Sequence, residues 1–127
     1  MTFRLALLPE QAIAEFRKAR DLSPNDPAAG SVRAWLGYAY GKAGKKAEAQ
    51  KLLDELQMQA KEHYVPAFDI AIIYLGLGEK DQTFAWLEKA YQERSPWLPW
   101  LNARTEFDRI RSDSRFTSLI QRVGLTP

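Results

Sequence analysis

The sequence has no cysteine and a single histidine, and these two absences exclude whole classes of chemistry. Without thiols there are neither disulfides nor thiolate metal sites, and cysteine usage gives no indication of secretion. His63 has no second histidine to act with, which argues against a metal or nucleophilic role. Phosphate-binding loops, dinucleotide-binding glycine motifs and the nucleophile-elbow motif are also missing. We therefore expect no enzymatic activity, no metal and no cofactor.

The chain also lacks a charge imbalance and a long apolar run. Its 18 basic and 16 acidic residues leave a net charge of only +2, which removes the electrostatic argument for nucleic-acid binding. Residues 1–8 contain one basic residue and an apolar run of four. A secretory signal needs roughly 7–15 apolar residues and a membrane span about 20. We therefore expect a cytoplasmic protein that binds neither nucleic acid nor membrane.

What the sequence does contain is a pattern repeated with a period of 34 residues. Its 127 residues, 46% hydrophobic and 27% charged, are the size and composition of one globular domain. Within it, residues 36–56 align with residues 70–90 without a gap, and a glycine divides each copy into two helical halves. The identical pairs are Tyr40 with Tyr74, Gly44 with Gly78, Lys46 with Lys80 and Leu53 with Leu87. This period is typical of helix–turn–helix repeat arrays.

Hydrophobic spacing and capping residues predict an all-α chain. Helices are expected over residues 9–22, 27–43, 46–62, 66–77, 81–94 and 113–123, with short helical pieces at 98–102 and 106–111. Residues 66–77 are apolar on nearly every side, so this helix is buried on more than one face or awaits a partner. We expect Trp97 and Trp100 to cover the end of the array, with a partner contact as the alternative. Trp35 and Trp86 are candidates for partly exposed contact residues.

The repeated residues resemble the tetratricopeptide (TPR) family at its consensus positions. The matching positions are Leu36, Gly37, Tyr40, Ala49, Leu53 and Leu56 in one copy and Ile70, Ala71, Tyr74, Thr83, Leu87 and Ala90 in the next. Ala12, Phe16, Ala19 and Pro24 are similar to the second helix of a preceding repeat. The resemblance implies a right-handed helix–turn–helix solenoid of about two and a half repeats plus a C-terminal capping helix. Its units are residues 9–26, 27–63, 64–96 and 97–127.

The second half of the chain resembles a narrower group of proteins. Residues 69–78, 85–98, 107–108 and 111–116 are similar to the C-terminal TPR region of long bacterial regulators. In those proteins the array follows kinase, nucleotide-cyclase or winged-helix DNA-binding domains. This resemblance implies a bacterial scaffold protein, or the regulatory part of a larger signalling protein.

The resemblance also places a binding site. In TPR arrays the first helix of each repeat lines a concave groove, and the array is a non-enzymatic module that binds a peptide or helix there. The positions that would form this partner-binding groove are Ala34, Tyr38, Lys42, Val65, Phe68, Ile72 and Leu75. The alternative is that these side chains are covered by the N-terminal segment, the C-terminal helix or a second copy, because a large exposed apolar patch is costly.

Two further features leave alternatives open. The incomplete first repeat leaves the inner face of Ala12, Phe16 and Ala19 half covered, and a homodimer would bury it, so a structural or oligomerisation role is the second hypothesis. Six arginines and no lysine lie between residue 94 and the end of the chain: Arg94, Arg104, Arg109, Arg111, Arg115 and Arg122. They indicate either an anion site or, as we favour, local pairing with Glu106, Asp108, Asp113 and helix C-termini.

Overall fold

The computed structural model describes residues 9–22 and 29–124, and this part of the chain is all-α, without strands. The α-helices are α1 (Pro9–Leu22), α2 (Ala29–Lys42), α3 (Lys46–Gln59), α4 (Ala67–Leu77), α5 (Lys80–Gln92) and α6 (Ser114–Val123). Between α5 and α6 lie two 3₁₀ helices, Leu98–Asn102 and Thr105–Ile110, which we call together the 3₁₀ segment (residues 98–110).

The helices predicted from the sequence are all present, with bounds that shift by a few residues. The largest shift among the described ends is in α3, which stops at Gln59 rather than at residue 62. Its last turn tightens, because Lys61 N–H donates to Met58 C=O at 3.2 Å and Glu62 N–H to Gln59 C=O at 3.0 Å. These are bonds to the third residue back, which is the usual way for a helix end to satisfy its last carbonyls.

Most of the helix ends use a residue in the left-handed backbone conformation. Gly44 after α2, Gly78 after α4 and Gly124 after α6 have φ values of 82°, 79° and 94°. Glycine tolerates this conformation without steric cost, which is why it closes so many helices. After α5 the same place is taken by Arg94, with φ of 57°.

The helices pack as successive antiparallel pairs, α2 with α3 and α4 with α5. The first helices of the two pairs, α2 and α4, pack closely against each other, and α1 packs against α2 from the other side. At the other end, α6 contacts α5 and the first 3₁₀ helix. Each pair therefore covers an apolar face of its neighbour.

Two glycines bring the backbones of α2 and α4 into direct contact. A Cβ atom built on Gly76 would lie 2.5 Å from the Tyr38 Cα atom, and one built on Gly41 would lie 2.4 Å from the Gly76 carbonyl carbon. Neither distance leaves room for a methyl group, so only glycine fits at this crossing. Both residues therefore serve the packing of α2 against α4.

Helix α4 belongs to both hydrophobic clusters of the core. Ile70 and Ile73 pack with α1, α2 and α3. Phe68, Ile72 and Leu75 pack with α5, the 3₁₀ segment and α6. The prediction that this helix is buried on more than one face is therefore confirmed.

We expect Gly76→Ala to lower the free energy of unfolding by about 2 kcal/mol or more, because the added methyl group forces two backbones apart. This loss outweighs the helix-propensity gain of about 1 kcal/mol that alanine brings. Gly37→Ala is the graded comparison: its Cβ would meet the Ile73 Cγ1 atom at 2.7 Å, a side-chain atom of a fully buried isoleucine, so we expect a loss there too, but a smaller one than against a backbone. Urea denaturation of both variants measures the difference. A loss for Gly76→Ala no larger than that for Gly37→Ala would contradict a rigid backbone contact between α2 and α4.

Candidate interaction surface

The residues expected to line an open groove have very different exposures. Ala34, Phe68, Ile72 and Leu75 are at most 4% exposed. Tyr38 and Val65 are half-buried, and Lys42 is exposed. The structure therefore brings the apolar members together, but as part of the core.

The cover over these side chains is the 3₁₀ segment. Leu98, Leu101, Phe107 and Ile110 share one cluster with the groove residues of α4 and are themselves at most 3% exposed. The ring of Phe107 lies 6.2 Å from the ring of Phe68, in a tilted arrangement. Of the two alternatives left open by the sequence, the structure thus shows the covered groove. The cover includes residues 98–110, which the sequence alternatives did not name.

A simple signal would have identified these covering residues. Positions 98, 101, 107 and 110 are separated by multiples of three, and side chains three residues apart lie on one side of a 3₁₀ helix. The search for a period of 3.6 residues does not detect this pattern. Burying these four side chains removes the exposed apolar patch that made an open groove costly.

Arginine side chains fasten the 3₁₀ segment to the rest of the fold. Arg109 donates from Nη1 to the Leu75 carbonyl at 3.1 Å, at the C-terminal end of α4, where a cation is favoured. Arg104 pairs with Glu106 at 3.2 Å and lies over the Trp35 ring, 4.5 Å from its centroid. These contacts use the arginines for internal packing.

Within and beyond this segment, further arginines bind local acids. Arg111 pairs with Asp108 at 2.6 Å, and Arg115 pairs with both Asp113 and Asp81 at 3.0 Å. Arg122 donates from Nη1 to Glu88 Oε2 at 2.8 Å. Pairing with the named acids or with a helix C-terminus is thus confirmed for the arginines at 104, 109, 111 and 115, whereas Arg122 pairs with an acid of α5. The partners Asp81 and Glu88, on α5, were not foreseen.

These cross-contacts have a regular separation along the chain. Leu75 and Arg109, Asp81 and Arg115, and Glu88 and Arg122 are each 34 residues apart. This is the period already present in the sequence, although residues 98–124 show almost none of the repeated residue types. Searching for arginine and acid pairs at that separation would have found the two α5 partners.

The tryptophans agree with the expectations in part. Trp35 and Trp86 are half-buried, which agrees with the partial exposure expected of them, and Lys89 lies over the Trp86 ring at 4.8 Å from its centroid. Trp97 is 46% exposed, so it does not cover the end of the array. Leu98 and Leu101 do so instead, because the 3₁₀ phase turns them inward and leaves Trp97 outside. The side chain of Trp100 lies outside the described part of the structure.

The inner face of α1 is only partly described. Phe16 is half-buried against the α2 and α3 cluster, Ala19 is exposed, and the side chain of Ala12 lies outside the described residues. The exposed positions of α1 that the structure describes are small or polar: Gln11, Ala14, Glu15, Arg17, Lys18, Ala19 and Asp21.

Three large apolar side chains are the most exposed in the described part of the chain. Met58, Tyr64 and Trp97 are 62%, 73% and 46% exposed. Met58 is in the last turn of α3 and lies on its outer face together with Lys51. Tyr64 lies in the loop from α3 to α4 and Trp97 in the loop after α5, and both loops lead out of the second helix of a pair, so they emerge at the same end. We call Tyr64, Arg94 and Trp97 the loop edge.

Glu93 ties the two loops of this edge together. Its Oε1 atom accepts a hydrogen bond from the Tyr64 hydroxyl at 3.0 Å and another from the Ala67 N–H at 3.2 Å. Helix α4 begins after Pro66, which offers no capping side chain, so Glu93 caps it from a distance. Burial and this carboxylate together raise the pKa of Tyr64. The loop edge is thus built on a fixed polar contact.

Asp69 is the one strongly buried acid of the described residues. It lies in the first turn of α4 and is 3% exposed. Burial raises its pKa from 3.8 to about 6, because the ionised carboxylate loses its hydration. No cation of the described part pairs with it.

The described residues hold no cluster of three His, Asp or Glu side chains placed to bind a metal ion, and His63 is exposed. None of the helices described combines the length and apolar character needed to cross a bilayer. No protein-family model matches the chain, and no match was found among curated proteins or among solved structures.

We expect Phe107→Ala to lower the free energy of unfolding by about 3–5 kcal/mol, the usual cost of truncating a fully buried phenylalanine. Trp97→Ala is the control from the same part of the chain, and we expect a loss of about 1 kcal/mol or less, since a half-exposed side chain contributes little. Urea denaturation gives both values. Similar losses for the two variants would contradict the placement of Phe107 in the core.

We expect Asp69→Asn to stabilise the protein at neutral pH. A raised carboxyl pKa means that the folded state holds its proton longer than the unfolded state, so the wild type loses stability as the pH rises from about 4 to about 6. A shift of this size corresponds to a loss on the order of 2–3 kcal/mol. The variant should exceed the wild type by that order at pH 7 and match it below pH 4. Asp54→Asn, at an exposed acid of α3, is the control in the same pH series.

Proposed function

We propose that this protein is a non-enzymatic protein–protein interaction module built on TPR-type helical repeats, and that its partner binds at the loop edge. The observation that carries this proposal is the exposure of Tyr64 and Trp97, on two loops at one end of the helix pairs. Apart from Met58 on α3, the remaining large apolar residues of the described part are buried or half-buried. Exposed apolar side chains gathered at one place are typical of a binding surface.

The repeat assignment is supported by packing as well as by sequence. Each helix pair covers an apolar face of the next, which is how repeat arrays are stabilised. The three contacts separated by 34 residues continue that relation into residues 98–123. The 3₁₀ segment then takes the place of a further first helix, and α6 that of a further second helix.

The outer face of α6 supports the view that the array ends there. Its exposed residues are polar, namely Ser114, Arg115, Ser118, Gln121 and Arg122. A terminal unit of a repeat array needs such a face, since no further unit covers it. A partner is therefore not needed to complete the core at this end.

The groove over α4 is a poor place for a partner in this structure. A ligand there would have to displace Phe107, Leu101 and Ile110, which are at most 2% exposed. Removing even one such side chain from a core costs several kcal/mol, about 2–5 for each large apolar group. Few peptide complexes offer enough affinity to compensate for that. Binding at the loop edge requires no such rearrangement.

The residue types of the loop edge also suit a contact surface. Tyrosine, tryptophan and arginine are the types that contribute most to measured binding energies at interfaces. Loops held by a rigid scaffold commonly carry binding residues. The resemblance of residues 69–116 to bacterial regulators supports a place for this module in the cytoplasm, within a larger signalling protein.

The test is site-specific photo-crosslinking. We expect p-benzoylphenylalanine in place of Tyr64 or Trp97 to form discrete adducts with a partner in lysate of the source organism. The substitutions replace one exposed aromatic ring by another, so they leave the core intact. The same group in place of Gln50, exposed on the outer face of α3, is the control. Equal labelling at all three positions, or adducts at position 50 alone, would exclude the loop edge.

A further inference from the structure

Arg94 is an exception among the helix ends of this protein. It has φ of 57°, and it is the non-glycine residue of the described chain in the left-handed region. A side chain there brings Cβ close to the backbone, which costs roughly 1–2 kcal/mol. The corresponding positions after α2, α4 and α6 are glycines.

The backbone at Arg94 does what a glycine does elsewhere. Arg94 N–H donates to Tyr91 C=O at 3.0 Å, and Ser95 N–H donates to Ala90 C=O at 3.0 Å. After α4, Gly78 and Glu79 make the equivalent two bonds, each at 3.1 Å. Nothing in this cap needs an arginine. A cation near a helix C-terminus gains about 0.3–1 kcal/mol, which at most balances the backbone strain.

The guanidinium group of Arg94 is also available. Arg104, Arg109, Arg111, Arg115 and Arg122 bind internal acceptors, whereas Arg94 is exposed and its guanidinium group makes no hydrogen bond or ion pair with any residue of the described ranges. The adjacent acid, Glu93, turns its Oε1 atom to Tyr64 and to the N-terminus of α4. A strained residue that keeps an unpaired, exposed functional group is a candidate for a binding role.

We propose that the loop edge binds an acidic segment of a partner protein, in which a carboxylate pairs with Arg94 and neighbouring apolar side chains pack on Tyr64 and Trp97. This inference rests on the proposed function, because it uses the same surface. The planar guanidinium group accepts a carboxylate in a two-point contact. Sites for phosphorylated segments gather several arginines, whereas the loop edge as defined contains Arg94 alone.

The experiment uses the full chain and an array of immobilised twelve-residue peptides that combine Asp or Glu with Leu, Phe or Trp. Each peptide is paired with a version carrying Asn or Gln, and with a version carrying phosphoserine. We expect the carboxylate peptides to bind at least about tenfold more tightly than their amide versions, because one ion pair can account for an affinity ratio of this size. Binding is compared for the wild type, Arg94→Gly, Arg94→Gln and, as control, Lys51→Gln on the outer face of α3.

We expect Arg94→Gly and Arg94→Gln to lose that preference, and Lys51→Gln to retain it. Arg94→Gly should at the same time raise the melting temperature, because glycine removes the backbone strain. If Arg94→Gly is more stable than the wild type but no longer prefers carboxylate peptides, the arginine contacts the ligand and does not support the fold. If Arg94→Gly lowers the melting temperature, the arginine supports the fold and the proposal is overturned.

Two other results overturn it. Equal binding of carboxylate and amide peptides, or an unchanged preference in Arg94→Gln, excludes the carboxylate contact, and tighter binding of the phosphoserine peptides assigns the site to another ligand. The proposed function is tested separately by the adducts at positions 64 and 97. If adducts form at these positions but the peptides show no preference for carboxylates, the loop edge is still the contact surface. Only the inference that the partner segment is acidic is then wrong.

Discussion

The structure depends on the burial of α4 on both of its sides. The helix is too apolar to be stable against water on any face, so one layer must cover each side. On one side the cover is α1, α2 and α3, and on the other it is α5, the 3₁₀ segment and α6. Phe68, Ile72 and Leu75 therefore need no ligand to be buried. Their cover is supplied by the same chain.

This arrangement separates the roles of the apolar residues. Those that stabilise the fold are almost fully enclosed, whereas Met58, Tyr64 and Trp97 contribute little to the core and remain exposed. Tyr64 and Trp97 lie on loops whose positions are fixed by Glu93 and by the cap at Arg94. A rigid scaffold and an exposed loop surface can then vary independently, as is common among binding domains.

Helix positions followed from the sequence because they are determined locally. The spacing of Ala49, Leu52, Leu53 and Leu56 predicts the buried face of α3, and Gly78 predicts the end of α4. The apolar face of α4 that carries Phe68, Ile72 and Leu75 followed from the sequence, but the segment that covers it did not. That segment lies some 35 residues further along, and its three-residue period is not detected by a helical search.

The candidate contact surface was harder to predict for a different reason. Trp97 and Leu98 are neighbours in an apolar stretch, and one is exposed while the other is buried, because the 3₁₀ phase separates them. The left-handed backbone conformation of Arg94 cannot be predicted from the sequence, because an arginine at a helix end is an ordinary cation at a favourable position. Such features depend on the path of the backbone in three dimensions.

The contact between Gly41 and Gly76 has a mechanical consequence. Interfaces made of side chains adapt by changing rotamers, but two backbones in contact have nothing between them to rearrange. Helices α2 and α4 therefore cannot slide past each other without first moving apart, which would open both clusters of the core. The two helix pairs should rotate together as one stiff unit. Whatever binds at one end of the pairs is thus held at a fixed angle to everything attached at the other.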